Sequence, residues 1–541
     1  MLKAIFLFFL ISLLNVKAVS NERGSNEIAL SNEIAVSNER GSNDISSSND
    51  KRLNIISAAI TSEPTIVYDF YTQHCPPLPQ PGCSSSIAEG CDCDIADAPM
   101  RFWRRTDPIT GEKSIFSLAS VDLGSRGFGG DNVLDLEHYC SLYANSSRIQ
   151  NMASFANYEW IHSSVYFPGN NSVYALTHME WDCKGQDTCA FYSDGYSFFT
   201  GVTLLESING GNSWSYSRPL PEHLVAASPI KWNETIGAIG QTYGFRSPSG
   251  IVAGRGALSG FYYATVTAGW GFGQFQGQID GACMMQTRDV TDPTSWRAWG
   301  GSSFNISLNV NPWVDKNIIA SDHICVPFTN MTYASLLWST FYNQYLYFGT
   351  TNGNDHGGWS FYLSTDLISF SGPYGPIDPG NYIIPAGNAS VTPNGKPFTG
   401  RFVQRQDHLD DPQVWYEDDS KTFKTRVGSC TPCPKLNACN CTLIPDTEFD
   451  SLEDRGTFTC DPWFKSTGYS DYYYPTLVDP NSLSDNFDEV GESAVLFLVG
   501  QRCVGGGGMD ANGNLECTPF DENGLLVRDL LRVNVQFQNV V

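Results

Sequence analysis

Two ionisable side chains share one face of an otherwise apolar, strand-like run. His178 and Glu180 lie one strand period apart within residues 173–180, so both side chains point to the same face. We expect Glu180 to act as a general acid and His178 to tune it or to bind a hydroxyl group. The alternative is a solvent-facing pair at a sheet edge. Asp322 and His323 form a weaker candidate pair of the same kind.

A second carboxylate would complete the chemistry of glycosidic bond cleavage. One carboxylic acid must protonate the leaving oxygen, and a second carboxylate must activate water or attack the sugar. Asp97 opens the first strand-like run of the main domain and could supply this second carboxylate. Its alternative role is that of a turn or bulge aspartate before Pro99.

Several other reaction classes lose support because their motifs are absent. The sequence contains no His-Glu-x-x-His motif, no phosphate-binding loop and no Gly-x-Ser-x-Gly elbow. Metalloproteases, nucleotide-dependent enzymes and ordinary esterases depend on these motifs. The run Asp407-His408-Leu409-Asp410-Asp411 concentrates oxygen ligands and could hold Ca²⁺. It lacks the glycine spacing of a calcium loop, so a solvated acidic turn is the simpler interpretation and we expect no cofactor.

Composition and charge limit the fold and the partners. Of the 541 residues 13% are aromatic and only 16% are charged, with 50 glycines and 29 prolines. This mixture is typical of short strands joined by turns. The formal net charge of -25 disfavours binding to nucleic acid or to an anionic membrane surface. We expect a monomer that binds a carbohydrate or glycan.

The N-terminal residues predict export. Lys3, the apolar run Ala4–Leu14 and the small-residue end at Ala18 are typical of a cleavable signal peptide over residues 1–18. The apolar run is too short to span a bilayer comfortably, although a retained anchor is the alternative. Residues 19–60 repeat Ser-Asn-Glu and contain no aromatic side chain. They cannot bury enough surface to offset their ordering entropy, so we expect a disordered spacer.

Cysteine usage and glycosylation sequons agree with a secreted, extracellular protein. The 16 cysteines are even in number and are most simply disulfide-bonded in an oxidising compartment. Seven Asn-x-Ser/Thr sequons fit a glycosylated surface; they lie at Asn145, Asn170, Asn233, Asn305, Asn330, Asn388 and Asn440. Residues 61–93 form a Cys/Pro-rich lead-in. Residues 430–460 are expected to be an insertion without strands, because they are polar and Pro-rich with no alternating pattern. Their cysteines are expected to form disulfides, because the spacing of Cys439 and Cys441 is too tight for a usual zinc knuckle.

Strand-like runs separated by turn residues predict an all-β protein, since long amphipathic helical segments are missing. The runs are Ile115–Val121, Ser164–Phe167, Val173–Met179, Gly201–Glu206, Gly260–Thr267, Ala334–Phe341, Gln344–Thr350, Gly358–Ser364, Ser493–Val499 and Leu525–Phe537.

One turn sequence recurs and indicates a copied unit. Ser207-Ile208-Asn209-Gly210-Gly211-Asn212-Ser213-Trp214 has weaker echoes that begin at Thr287 and Ser364, at nearly constant spacing. Propeller blades take about 40–50 residues, or more where loops are long. We therefore expect residues 94–541 to form a β-propeller of five blades, with six blades possible. A pair of β-sandwiches is the alternative.

These turns resemble the Asp-boxes of sialidases and other sugar-processing propellers. A second resemblance is carried by the motifs Asp97–Phe102, Tyr158–Trp160, Ala175–Glu180, Ser295–Trp299 and Arg528–Val533. Their order is similar to that in a family of secreted propeller-like proteins, and more distantly to five-bladed glycosidases of the arabinanase, xylosidase and invertase type. The resemblance implies that Asp97 is the base of a funnel carboxylate pair with Glu180.

Arginines and tyrosines provide the remaining candidate binding residues. Arg101 and Arg126 join His178, Asp322 and His323 as expected substrate-binding residues. A sialidase would require an arginine cluster and a Tyr–Glu nucleophile pair; the residues available for these are Arg101, Arg126, Arg246 and Arg502 with Tyr472-Tyr473-Tyr474.

Three hypotheses follow for the function. A secreted glycoside hydrolase requires Asp97 and Glu180 to converge within about 5–10 Å of each other. A non-catalytic glycan-binding propeller instead requires aromatic side chains that stack on sugars. A structural extracellular protein requires no small-molecule site.

Overall fold

The computed structural model is mostly β-structure with almost no helix in its described residues, which confirms the expected all-β class. It describes residues 55–62, 64–75, 97–107, 110–121, 124–147, 149–182, 198–232, 242–269, 277–350, 359–377, 469–502 and 527–540. It further describes the backbone of seven strands at residues 400–405, 413–418, 424–430, 439–445, 457–460, 504–509 and 515–518. The chain divides into residues 1–53 and 54–541, and all described residues belong to the second unit.

The strands of the described residues are numbered in chain order. The first half consists of β1 (Ile55–Ile60), β2 (Thr65–Tyr68), β3 (Arg101–Thr106), β4 (Lys113–Val121), β5 (Gly124–Asn132), β6 (Asp135–Asn145), β7 (Glu159–Ile161), β8 (Val165–Phe167), β9 (Ser172–Asp182), β10 (Phe198–Ser207), β11 (Ser215–Tyr216), β12 (Leu224–Ala227), β13 (Thr242–Arg246), β14 (Val252–Ala253), β15 (Tyr262–Ala268), β16 (Gly281–Thr287) and β17 (Arg297–Trp299).

The second half consists of β18 (Phe304–Ile306), β19 (Pro327–Thr329), β20 (Thr332–Ser339), β21 (Gln344–Thr350), β22 (Trp359–Ser364), β23 (Ser371–Ile377), β24 (Gly400–Arg405), β25 (Gln413–Asp418), β26 (Lys424–Cys430), β27 (Cys439–Pro445), β28 (Thr457–Cys460), β29 (Tyr469–Val478), β30 (Glu489–Val490), β31 (Ser493–Arg502), β32 (Val504–Met509), β33 (Leu515–Thr518) and β34 (Arg528–Val540). The helical elements are α1 (Phe70–Gln73) and short 3₁₀ turns at Met152–Ser154, Gly256–Leu258, Pro293–Ser295 and Ala320–His323.

Five sheets follow one another along the chain. Sheet I contains β3 to β6, sheet II contains β7 to β12, sheet III contains β13 to β19, and sheet IV contains β20 to β23 with β30. Sheet V combines β29, β31 and β34 with β1 and β2 from the N-terminal side. Parallel pairing of β10 with β13 makes sheets II and III one continuous sheet. Strands β24 to β28 form a further sheet, and β32 pairs with β33.

Alternation of apolar and polar residues explains why these segments form strands. In β34 the side chains of Leu531, Val533, Val535 and Phe537 are buried, whereas Asn534 between them is exposed. Such a period of two places one face of a strand on the core and leaves the other accessible. All ten strand-like runs predicted from the sequence overlap strands of the structure.

Apolar clusters join each of the five sheets to the next. Separate buried clusters lie between sheets I and II, II and III, III and IV, and IV and V. A fifth cluster, which includes Phe102 of β3 and Phe497 of β31, joins sheet V back to sheet I. Burial between neighbouring sheets is therefore continuous from the first sheet to the fifth and returns to the first.

The first and last strands of the described chain complete sheet V together. Strand β1 pairs antiparallel with β34 from Ile55 opposite Val540 to Ile60 opposite Val535. The predicted spacer over residues 19–60 therefore extends too far, because residues 55–60 are a strand of this sheet. In the sequence, the polar repeats before residues 55–60 make this short apolar segment difficult to recognise as a strand.

Strands also occur in the segment that was expected to be a strandless insertion. Residues 439–445 and 457–460 form β27 and β28, which pair with each other beside β26. That expectation was wrong. The Thr442-Leu443-Ile444 run lies in β27, although the segment around it is rich in cysteine and proline. The side chains of this segment and the predicted Asp407–Asp411 calcium site lie outside the part of the chain that the structure describes.

Two disulfides agree with the predicted cysteine chemistry. Cys75 of the lead-in bonds to Cys140 in β6, and Cys283 in β16 bonds to Cys325. The bonds cross-link loops of 65 and 42 residues, which restricts the unfolded chain. Within the described ranges, no helix has the length and apolarity needed to cross a membrane.

The recurring turn has the same hydroxyl–amide bond in three sheets. Ser207, Thr287 and Ser364 each accept a hydrogen bond from the backbone amide two residues later, at 3.4, 2.9 and 3.2 Å. The turns follow β10 of sheet II, β16 of sheet III and β22 of sheet IV. The recurrence agrees with a repeated structural unit.

The turn at Gly211 also fixes sheet II against sheet I. Gly211 has φ of +95°, and a Cβ there would lie 2.4 Å from Cζ2 of Trp103 in β3. The Trp103 indole donates a hydrogen bond to the Gly210 carbonyl at 3.1 Å. The contact requires both a left-handed backbone and the absence of a side chain.

Replacing this glycine should destabilise the protein through two separable effects. We expect Gly211→Ala to lower the free energy of unfolding by about 2–4 kcal/mol, since overpacking adds to the backbone cost. Gly111→Ala is the matched control, because Gly111 has φ of +75° but no atom near its missing Cβ. It should lose only about 1 kcal/mol in chemical denaturation; equal losses would show that the Trp103 contact contributes nothing.

An ion-paired cluster holds the N-terminal segment on sheet V. The fully buried Asp529 of β34 accepts hydrogen bonds from the Phe70 amide at 2.9 Å and from Arg502 Nε at 2.6 Å. Arg502 also lies 3.1 Å from Asp69, which caps α1. One guanidinium therefore links β31 to both ends of the described chain.

Removing the buried carboxylate should be costly because it leaves the Arg502 charge without its main partner. We expect Asp529→Ala to lower the free energy of unfolding by about 3–5 kcal/mol in urea denaturation. Asp485→Asn removes the partner of Lys113 at 3.5 Å, whose side chain is 62% exposed. That surface pair should contribute less than about 1 kcal/mol, and a similar loss in both variants would contradict the role given to Asp529.

Candidate functional site

Asp97 lies where sheets I and V meet. Its amide donates to the Ser120 carbonyl at 2.8 Å, which holds the residue beside β4. Its carboxylate accepts hydrogen bonds from the Tyr474 hydroxyl, at 2.8 Å, and from the Arg528 guanidinium. Burial disfavours the charged form of Arg528, but the Asp97 carboxylate overrides this effect and raises the pKa of Arg528 above its ordinary value. The negative charge of Asp97 is thus compensated within the protein.

His178 and Glu180 share one face of β9, as the sequence predicts. His178 Nε2 lies 3.3 Å from Glu180 Oε1, and the His178 side chain is only 7% exposed. Burial, reinforced by nearby Arg246, lowers the pKa of His178 to about 3. The imidazole is therefore neutral at pH 7, and the short contact is not an ion pair. A solvent-facing edge pair is excluded for His178, because β9 lies between β7 and β10.

The join between sheets II and III brings Glu180 and Arg246 into one region. Glu180 pairs with Thr200, and Thr200 pairs in parallel with Gly244. Gly244 has φ of +129°, and a Cβ there would lie 2.1 Å from the Thr200 carbonyl oxygen. Glycine therefore permits the close approach that carries Arg246, two residues later, towards the histidines.

Electrostatic effects confirm this proximity of Arg246. Burial lowers the pKa of His162 well below its ordinary value, and His178, Arg101 and Arg246 lower it further. The exposed Asp280, immediately before β16, also interacts electrostatically with Arg246. Charge from sheet III thus acts on two neutral histidines of sheet II.

Aromatic contacts bridge the histidines to Asp97. The His162 ring lies 5.3 Å from that of His178 and 6.2 Å from that of Tyr333. The Tyr333 ring lies 4.9 Å from that of Tyr474, whose hydroxyl bonds to Asp97. A continuous row of contacts therefore joins Glu180 to Asp97. We call this row, together with the neighbouring Arg246 and Arg528, the convergent cluster. It comprises Asp97, His162, His178, Glu180, Arg246, Tyr333, Tyr474 and Arg528.

Buried polar atoms without hydrogen-bond partners occur in and around this cluster, as they do elsewhere in the described residues. Among the described residues they include Trp160 Nε1, His162 Nδ1, His178 Nε2, Thr200 Oγ1, Arg246 Nε, Ser247 Oγ, Thr267 Oγ1 and Arg528 Nε. Folded proteins pair the great majority of buried polar groups, and each exception calls for a ligand, water or strain. A polar ligand would require donors and acceptors of this kind.

Arg101 lies beneath the cluster and is engaged by protein groups. Its guanidinium donates to the carbonyls of His162 at 2.9 Å and Ala334 at 2.8 Å. It also donates to the hydroxyls of Ser335, at 3.2 Å, and Thr476, at 3.5 Å. Burial lowers the pKa of Arg101 to about 9, so it remains charged at neutral pH. These contacts favour a role in holding sheets together over the expected role in substrate binding.

The other predicted binding residues lie in different surroundings. Arg126 is buried in β5 and donates to the Cys140 carbonyl of β6 at 2.7 Å. Asp322 is exposed in a short 3₁₀ turn, and Nδ1 of the neighbouring His323 lies 2.7 Å from the Ser307 carbonyl. These contacts join Arg126 and His323 to carbonyls that do not belong to the convergent cluster.

Three members of the convergent cluster were not selected from the sequence. His162, Tyr333 and Arg528 lie on different sheets or just outside their strands. Arg528 stood in the Arg528–Val533 motif, but no local pattern connects it to Asp97, 431 residues away. Their common feature is convergence in space, which periodicity cannot reveal.

A metal centre receives no support from the described side chains. The group of potential ligands that meets there is Cys75, His138 and Cys140. Cys75 and Cys140 are disulfide-bonded to each other, so neither thiolate is available to an ion.

Comparisons with known proteins identify distant structural similarity. No family model and no curated protein matches the chain. The catalytic domain of the Coprinopsis cinerea GH62 α-L-arabinofuranosidase is similar at 10% identity and a TM-score of 0.23, over 69% of this chain and 89% of that chain. A thermostable family-43 glycoside hydrolase is similar at 14% identity and a TM-score of 0.26, over 62% of this chain and 97% of that chain.

A sialidase is similar to the same degree. For the Trypanosoma rangeli enzyme the identity is 10% and the TM-score 0.31, over 88% of this chain. The chain spans 60% of the length of that sialidase. Scores at this level do not assign a family or an activity, so the chemistry of the site rests on its own side chains.

The buried, neutral histidine predicts a pH dependence of stability. The folded pKa of His178, about 3, lies below the ordinary value of 6.5, so the unfolded chain binds more protons between these limits. Stability should fall as the pH decreases through this window, with a slope of up to about 1.4 kcal/mol per pH unit from this residue. His178→Gln should have a shallower slope in denaturation between pH 6.5 and 4. An imidazole NMR signal of His178 that titrates near pH 6.5 would contradict the burial argument.

Proposed function

We propose that the protein is a secreted, carbohydrate-active β-propeller whose convergent cluster cleaves a glycosidic bond. Sheets I to V would be its five blades. This proposal is supported by the five apolar clusters that follow one another around the sheets, and by the terminal strands that share sheet V. Radial repetition of small sheets protects strand edges without helices.

The observation that carries the proposal is the row of contacts that joins two carboxylates through histidine and tyrosine rings, with unpartnered buried polar atoms beside it. A sugar offers a donor and an acceptor at each hydroxyl, together with apolar C–H faces that pack on aromatic rings. An extended apolar ligand would leave these buried polar atoms unsatisfied. A carbohydrate satisfies both parts of the site.

The chemistry divides between the two carboxylates. Glu180 would protonate the glycosidic oxygen as the bond to the anomeric carbon breaks, and Asp97 would stabilise or attack the carbon, or activate water. Arg528 compensates the Asp97 charge in the resting site. The neutral His178 would accept a hydrogen bond from a sugar hydroxyl or donate one to it. It would not compete for the proton of Glu180.

A second candidate function is glycan binding without catalysis. One observation favours it: Asp97 is already engaged by both Tyr474 and Arg528. A carboxylate held by two partners can serve as a fixed part of a binding surface. The two functions differ in whether reducing ends are released.

Secretion is part of the proposal. It is supported by the two disulfides, which form and persist in oxidising compartments. The signal-peptide pattern of residues 1–18 is consistent with the same compartment.

Substitution of either carboxylate should separate hydrolysis from binding. We expect Asp97→Asn and Glu180→Gln to reduce the release of reducing ends from arabinan, xylan or fructan by about 10²–10⁴-fold, since each removes a proton-transfer or charge-stabilising group. Asp315→Asn is the control, because the exposed Asp315 caps a turn through a bond that asparagine retains. Loss of activity with retained binding supports hydrolysis. Binding by the unmodified protein without any release of reducing ends supports the glycan-binding alternative.

A further inference from the structure

Four non-glycine residues adopt a left-handed backbone around the convergent cluster, each in or beside a different sheet. They are Tyr158 (φ 45°) before β7, Ser247 (φ 48°) after β13, Tyr333 (φ 50°) in β20 and Tyr474 (φ 54°) in β29. This region is unfavourable for residues with a Cβ, and bulky aromatic residues rarely occupy it. Strained backbone persists where surrounding structure enforces it, often at ligand sites.

The two tyrosines of β20 and β29 lie in interruptions of strand pairing. The register of β20 with β21 shifts between Thr332 and Ser335, and Tyr333 lies in that interval. The register of β29 with β31 shifts between Tyr473 and Thr476, and Tyr474 lies in that interval. Bulges of this kind change the direction of a side chain.

The effect of the second bulge is visible within one strand. Tyr472 is fully buried in the apolar cluster between sheets IV and V. Tyr474, two residues later, is half-buried and bonds to Asp97. Regular pairing would send both rings to the same face, so the irregularity redirects Tyr474 into the convergent cluster.

The redirected rings form a surface beside the candidate carboxylate. Their planes are perpendicular, with centroids 4.9 Å apart. Tyr333 is half-buried and lies 6.2 Å from the His162 ring, whose Nδ1 is buried without a partner. The two half-buried tyrosines thus present aromatic area and a hydroxyl beside Asp97.

We propose that Tyr333 and Tyr474 form a subsite that binds one neutral sugar ring against Asp97, and that the two bulges exist to present them. This inference rests on the proposed carbohydrate function. One tyrosine face packs on the C–H face of the sugar, and the second ring borders its edge. The Tyr474 hydroxyl holds Asp97 in position.

Backbone strain is tested by comparing glycine with alanine at the same position. In an ordinary strand glycine is less stable than alanine, whereas at a left-handed position the order reverses. We therefore expect Tyr333→Gly to unfold at a higher temperature than Tyr333→Ala. Tyr362 is the matched control, as a half-buried tyrosine of β22 without left-handed backbone; its alanine variant should unfold at the higher temperature. The same order at both positions would overturn the strain argument.

Binding is tested by titration calorimetry with arabinan, xylan and fructan oligosaccharides. Tyr333→Ala and Tyr333→Gly should each weaken the tightest of these by about tenfold through lost stacking, and Tyr362→Ala should leave it unchanged. Tyr474→Phe keeps the ring and removes the hydroxyl bonded to Asp97. It should retain the affinity but lower turnover, which a merely structural ring would not do.

The outcomes distinguish the subsite from the function on which it rests. If the unmodified protein binds an oligosaccharide and both Tyr333 variants bind it equally well, the subsite is overturned while the carbohydrate function stands. If the unmodified protein binds none of the oligosaccharides, the carbohydrate function fails and the subsite fails with it. Weakened binding in correctly folded variants supports the subsite.

Discussion

The arrangement of the sheets depends on the hydrogen bonds that the Arg101 guanidinium donates. This group projects from β3 of sheet I and donates to backbone or hydroxyl oxygens of sheets II, IV and V. Where the first strands of several sheets converge, their backbone carbonyls lack partners of their own, and burying them unsatisfied is costly. A guanidinium offers five donors in a rigid fork and meets this need with one side chain.

The same convergence explains why the candidate site lies where it does. Apolar clusters fill the space between neighbouring sheets, and the polar residues of the candidate site come from several of these sheets. Sheet I contributes Asp97, sheet II contributes His178 and Glu180, and sheet V contributes Arg528. Each charged group is held by a partner on another sheet or is neutralised by burial, as His178 is. The polar atoms that remain unpaired are the groups of the site that have hydrogen-bonding capacity left.

Irregular backbone supplies what regular strands cannot. A strand of strict period two sends alternate residues to its two faces, core and solvent. Left-handed residues such as Tyr333 and Tyr474 and the close approach at Gly244 break that rule at selected points. The resulting loss of backbone stability is offset by the packing of the sheets around them, as is common at functional sites.

Local sequence determined a large part of this protein. Alternating apolar residues predicted the strands, a repeated turn predicted a copied unit, and a two-residue spacing placed His178 and Glu180 on one face. These features depend on neighbours within a few residues, so periodicity is sufficient to reveal them. Only the tertiary structure decided that 55–60 complete the C-terminal sheet, that Arg101 bonds to three other sheets, and that Arg528 pairs with Asp97. Those contacts join residues hundreds of positions apart, and hydrogen bonding and burial select them only when the sheets have packed.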